Sequence, residues 1–419
     1  MREVQSYQFV PLWWEIMTIS QTKTNPWQKR SRKDVKKLSD NEINEKYEQG
    51  ERRILLEMNR EKLPSFAESL NKPNYMETRP FYQRRDRWDE QKQSRLIESF
   101  LMNIPVPPLI LYEASYNSYE VMDGQQRITA IQNFYNNKLK LTGLEIWPEL
   151  EGRNYESLPA KIKDGINRRA ISTIVVITES LSDAEEALSL KQLVFERLNT
   201  GGVSLSRQEI RNCIYSGKFN ELLLKLSENT IFAKAWDIPI DDKEELKENG
   251  FYKKMEDVEL ILRFFALRDI DQYTGNLSKY LDNYMMKKSL NFSDENIQEF
   301  ERVFNQTIEL VSNIYQDQLF KPFDSKTKTH KSKAYKVYYD AVMISFSNHL
   351  SDYQELITRK SAIIDETISL FTQDSQGITH QDKKLKKGLF TGEGDTKDDI
   401  KARIQIFDSL IQRVLKQSI

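Results

Sequence analysis

The stretch YEVMDGQQRITAIQNFY, Tyr119 to Tyr135, decides the reading of the fold. Tyr119 to Met122 has strand character and is broken by Asp123-Gly124, while Ile128, Ile131, Phe134 and Tyr135 recur at helical spacing over Gln125 to Asn137. A helix entered directly from a strand through a glycine points its free N–H groups and positive dipole end at whatever lies above it. That geometry suits an anion. Gln125, Gln126 and Arg127 fall in the first helical turn, where their donors can converge on a phosphate or a carboxylate, and Asp123 at the strand end can hold a metal-bound water or orient the arginine. A capped helix with a structural Asp–Arg pair fits the same residues, and at this level both readings stay open.

Working outward, Leu109 to Tyr112 follows Pro105, Pro107 and Pro108 and reads as a short strand. STIVVIT, Ser172 to Thr178, is β-branched almost throughout and gives the strongest strand signal of the chain. Helices are expected over Asn41 to Gln49 behind a Ser39/Glu42 capping box, over Arg52 to Asn59, from Pro64 to Leu70 and from Asp89 to Met102, with an extended piece at Thr78 to Tyr82. Capping boxes at Ser182/Glu185 and Ser206/Glu209 open two helices that flank the turn Asn199-Thr200-Gly201-Gly202. Beyond Phe219 no convincing strand remains. Helical spacing recurs at Glu256 to Leu267, Leu277 to Met285, Asp294 to Tyr315, Ala334 to His349, Asp352 to Phe371 and Lys397 to Lys416.

The whole composition bounds these readings. A chain of 419 residues, at about 150 per domain, allows two or three domains. Lys plus Arg number 62 against 63 for Asp plus Glu, so no global basic field advertises nucleic acid and any such contact must be local. Cys213 is the only cysteine and His330, His349 and His380 lie far apart, which disfavours disulfide and zinc chemistry. The apolar patch FVPLWWEIM, 9–17, has neither a basic lead nor a small-residue cleavage site, and no run reaches the length of a membrane span, so the expected compartment is the cytoplasm. Residues 1–38 read as a basic leader, and Lys321 to Lys336 carries six lysines against Asp324, either a solvated loop or a phosphate-backbone contact. PIDDK, Pro239 to Lys243, lacks the strand pair and spaced acid of a PD-(D/E)xK nuclease.

DGQQRITAI, the upstream RPFYQRRDRWDEQKQSRLIESFLMNIPVPPLIL and the downstream FERLNTGGVSLSRQEIRNCI resemble, in order and spacing, the N-terminal domain of GmrSD-type, modification-dependent (type IV) restriction systems, a relative of the ParB/sulfiredoxin fold. KMEDVELILRFFALRD and YTGNLSKYLDNYM are similar to the helical extension of that family. The resemblance implies an α+β architecture: a small mixed sheet of ParB/sulfiredoxin-like type with surrounding helices over 39–217, then an all-helical C-terminal domain over 218–419. It implies a domain that binds and hydrolyses an NTP with Mg2+ at the DGQQR box. Asp123, Gln125, Gln126 and Arg127 are then the catalytic candidates, Asp123 the metal candidate, and Gln83, Arg84, Gly124, Arg127, Thr129 and Asn199 the nucleotide contacts. The expected macromolecular partner is DNA. The full restriction proteins carry an HNH nuclease domain, and none of the three histidines has the neighbours of that motif, so cleavage is expected to need a partner nuclease or defence protein. A non-catalytic DNA sensor and a stand-alone nuclease are the alternatives.

Overall fold

The computed structural model describes residues 38–51, 54–77, 88–178, 184–198, 205–273, 275–374, 379–380, 383–384, 388–392 and 396–417. The first half is built on strands β1 (Ile54–Lys62), β2 (Met76–Glu77), β3 (Leu109–Ser115), β4 (Ser118–Asp123) and β5 (Ala170–Thr178). Around them lie helices α1 (Asp40–Glu51), α2 (Leu63–Ser69), α3 (Glu90–Leu101), α4 (Gln125–Tyr135), α5 (Ala160–Asn167), α6 (Ala184–Leu198) and α7 (Arg207–Ile214). The strands form one mixed sheet in the order β1-β5-β3-β4-β2. β5 is paired on both sides, antiparallel to β1 and parallel to β3, while β4 runs antiparallel to β3 and parallel to β2.

The side-chain period of two gives the sheet two apolar faces. Leu109, Leu111, Val121, Ile171 and Val175 point into a core closed by Phe66, Ile97, Ile131 and Phe134 from α2, α3 and α4. Met122 and Val176 point the other way, into the core of the helical half. Both faces are therefore buried, which is why STIVVIT reads as a near-continuous apolar run.

The helical half comprises α8 (Lys218–Ser227), α9 (Thr230–Ala235), α10 (Lys243–Glu248), α11 (Gly250–Lys253), α12 (Glu256–Arg268), α13 (Leu277–Asn291), α14 (Asp294–Tyr315), α15 (Lys336–Ser347), α16 (Tyr353–Thr358), α17 (Lys360–Asp374) and α18 (Lys397–Lys416). Two-residue ladders at Phe323–Asp324 with Thr329–His330, and at Thr379–His380 with Lys383–Lys384, are its strand pairings among the described residues. The α+β architecture with a mixed sheet and a helical C-terminal region is thus as the sequence led one to expect.

Two local expectations are corrected. The helix over Arg52 to Asn59 is instead strand β1, because pairing with β5 from Ile54↔Thr178 to Lys62↔Ala170 supplies a complete antiparallel ladder that outweighs weak helical spacing. The helix expected over Asp352 to Phe371 is divided into α16 and α17 at Arg359, whose backbone leaves the helical region (φ −95°, ψ 15°). Arg359 Nη1 donates to the carbonyls of Val414 (2.9 Å) and Gln417 (2.6 Å), satisfying the C-terminal end of α18. PIDDK holds a helix cap: the Asp242 carboxylate accepts from the N–H groups of Glu244 and Glu245 at the start of α10. The Ser39/Glu42 and Ser206/Glu209 capping boxes both form. The extended piece at 78–82, the Ser182 capping box and the turn at 199–202 lie outside the described residues.

A buried carboxylate fixes the loop after α4. Glu98 of α3 is 4 % exposed and accepts from the backbone N–H groups of Ile146 (2.8 Å), Trp147 (2.9 Å) and Glu145 (3.3 Å). Desolvation by burial pushes its pKa up, but the N–H groups of Ile146, Trp147 and Glu145, with Arg95 nearby, outweigh it and hold the carboxyl below its ordinary value.

Candidate functional site

The site sits where β4 ends and α4 begins. Between the pairs Leu111↔Val121 and Ile110↔Asp123, β4 carries one extra residue, Met122, a bulge that re-aims the strand end just before the carboxylate. Gly124 then turns the chain in the left-handed region (φ 101°, ψ 10°) and serves as the N-cap of α4 without any side-chain cap. A side chain there would be strained and crowded, since a Cβ would lie 2.4 Å from Leu109 Cδ2 and 3.0 Å from Arg127 Nη2. Glycine leaves the first N–H groups of α4 open, and the helix dipole adds partial positive charge at the same place.

Arg127 folds back over this turn. Its Nη2 donates to Asp123 Oδ2 at 2.8 Å and to the Pro108 carbonyl at 3.3 Å. The guanidinium is 15 % exposed and the carboxylate 61 % exposed, so Asp123 faces solvent with one oxygen engaged while Arg127 is held beneath it. Arg127 Nε and Gln125 Oε1 are buried without a hydrogen-bond partner. Each such atom costs about 1–3 kcal/mol, and local polar conflict of this kind concentrates at functional sites.

The remaining candidates divide. Thr129 Oγ1 donates to the Gln125 carbonyl one turn back (3.0 Å), so this hydroxyl proton serves the helix. Gln126 Oε1 accepts the backbone N–H of Trp88 at 3.0 Å and ties the entry to α3 against the box. Gln93, itself buried in α3, continues the tie by donating to the Trp88 carbonyl and accepting from Asn133 Nδ2. The structure thus brings together Asp123, Gly124, Gln125, Gln126, Arg127 and Thr129; Gln83, Arg84 and Asn199 lie outside the described residues. Both flanks of 78–87 are anchored beside the box, Glu77 by pairing with Glu120 of β4 and Trp88 by its bond to Gln126. Sequence reading missed Pro108, Leu109 and Trp88, and the proline run ahead of β3 is the signal that marks the first two.

Among the described residues no group of three or more His, Cys, Asp or Glu side chains is arranged to hold a metal. A divalent cation here would use the Asp123 carboxylate with phosphate oxygens and water, the usual mode for Mg2+ at phosphoryl sites. Among the described residues no helix is long and apolar enough to cross a membrane.

Residues 66–216 match the family model of the GmrSD restriction endonuclease N-terminal domain. That span takes in β2 to β5, α3 to α7 and the whole box. No curated protein matches the chain, and no solved structure does.

Proposed function

We propose that the protein is the nucleotide-binding, NTP-hydrolysing component of a restriction-like defence system that acts on foreign or modified DNA. The match over 66–216 supports the restriction context. The observation that carries the nucleotide reading is the uncapped start of α4 behind Gly124, with Arg127 held over it by Asp123 and the Pro108 carbonyl. Open N–H groups, a helix dipole and a fixed guanidinium form a phosphate cradle. In this reading Arg127 and Arg84 neutralise phosphate charge, Gln83 lines the same site, and Asp123 holds Mg2+ or its water. Gln125 or Gln126 positions the attacking water through its side-chain amide N–H, since the Gln126 oxygen is engaged by Trp88 and the Gln125 oxygen is buried. Asn199 and the glycine turn after it are further contacts, DNA is the macromolecular partner, and cleavage is supplied by a partner nuclease.

The test is phosphate release from ATP, GTP, CTP and UTP with Mg2+, with and without plain or modified DNA, for wild type, Asp123→Ala and Arg127→Ala. The expected outcome is turnover abolished in both variants, with Arg127→Ala also losing the rise in melting temperature that bound nucleotide gives by mass action. Unchanged nucleotide affinity in Arg127→Ala overturns the site. Nucleotide-independent DNA binding that falls steeply with salt, without phosphate release, moves the protein to the sensor class. Nicking of plasmid by the isolated chain makes it a nuclease in its own right.

A further inference from the structure

Of the eleven large hydrophobic side chains exposed at the described surface, five fall within residues 43–58: Ile43 and Tyr47 on α1, Leu55, Leu56 and Met58 on β1. Every side chain described on α1 between Asp40 and Glu48 is exposed. A twelve-residue helix is marginal in water unless one face is packed, and Ile43 and Tyr47, four residues apart, form one stripe. β1 is the outer strand of the sheet, and among the described residues its second edge has no partner. It runs nine residues without a proline. A free edge of that length with apolar side chains is a template for another strand.

We propose that β1 pairs antiparallel with β1 of a second copy of this chain, joining two five-stranded sheets into one continuous sheet. The inference stands apart from the nucleotide reading of the box. Its occupant is argued from self-complementarity. Across a twofold axis normal to the sheet, the register centred on Met58 sets Glu57 opposite Asn59, Leu56 opposite Arg60, Leu55 opposite Glu61 and Ile54 opposite Lys62. No like charges meet. Shifting the centre to residue 57 sets Glu57 against its own copy, and shifting it to residue 59 sets Glu57 against Glu61, each unfavourable for directly opposed side chains. The full-length register is therefore selected by charge as well as by length. In that assembly β4 lies seven strand spacings from its copy, about 34 Å at ~4.8 Å each. β4 runs parallel to β1 through the intervening pairs, so the two boxes open at opposite ends of the joined sheet and each is complete in one copy.

The experiment is light scattering across a concentration series of the full chain. The expected result is a mass about twice 49.5 kDa for wild type, and self-association at least tenfold weaker for Met58→Lys, which sets two ammonium groups against each other at the centre. Met58 is 78 % exposed, so the substitution leaves the fold intact, and Met58→Leu is the control that remains a dimer. Met58→Cys should cross-link to its copy under mild oxidation, since directly opposed residues of antiparallel strands lie within disulfide reach and native Cys213 is buried. A monomer at every concentration overturns the proposal. So does a dimer indifferent to Met58→Lys, or dimerisation only after residues 1–37 are removed, which would assign the edge to the chain's own N-terminal segment.

Discussion

At the scale of single residues, Gly124 decides whether the site exists. Its φ of 101° is open to glycine at little cost, and the space a side chain would need is filled by Leu109 and Arg127. Gly124→Ala should lower stability by about 1–3 kcal/mol and, on the nucleotide reading proposed for the box, weaken nucleotide binding while leaving Asp123 and Arg127 in the sequence. Urea unfolding and nucleotide titration check this; an unchanged midpoint would show that the turn relaxes freely. The role of Gly124 was legible because a carboxylate, a glycine and a helical stripe stand in succession. The engagement of Gln126 was not, since its partner Trp88 is thirty-eight positions away and no local pattern encodes that meeting.

At the scale of elements, local chemistry and pairing divide what could be read. β5 and α4 were legible from β-branching and from the Ile128/Ile131/Phe134 stripe, and α7 from its Ser206/Glu209 box, which forms with both reciprocal bonds. β1 was not, because its state is set by β5, as in the pair Leu56↔Val176, and its own exposed pattern carries no periodic signal. The junction of α15 and α18 gives a prediction at this scale. His349 Nε2 bonds Asp408 Oδ1 at 2.9 Å and Nδ1 faces Asp352 Oδ2 at 3.5 Å. The hydrogen bond to Asp408 raises the imidazole pKa above 6.5, burial opposes this, and the charges of Asp408 and Asp352 add to the rise. A raised folded-state pKa means that the pairing stabilises fully below the unfolded value of 6.5 and is lost as pH rises through the folded value. Stability measured from pH 6 to 9 should fall in wild type more than in His349→Ala; equal slopes would remove His349 as the cause.

At the scale of the molecule, the sheet is a wall shared by two cores. Val121 and Val175 belong to the core around α2 to α4, while their neighbours Met122 and Val176 belong to the helical half. The buried Lys191 of α6 crosses to the same wall, pairing with Glu120 of β4 and lying over the Tyr112 ring at 4.9 Å. Neither half can unfold without stripping one face of the other. Calorimetry should therefore give a single transition whose calorimetric and van't Hoff enthalpies agree. Two resolved transitions would show that the halves melt separately. The bulge in β4 has a consequence for communication. Asp123 and Met122 are joined by one peptide bond, yet the first addresses solvent at the box and the second is locked among the packed side chains of the helical body. Any ligand that turns the backbone at the end of β4 must also rotate Met122 against a close-packed surface that does not yield by small degrees. The box and the helical core therefore meet at a single peptide bond.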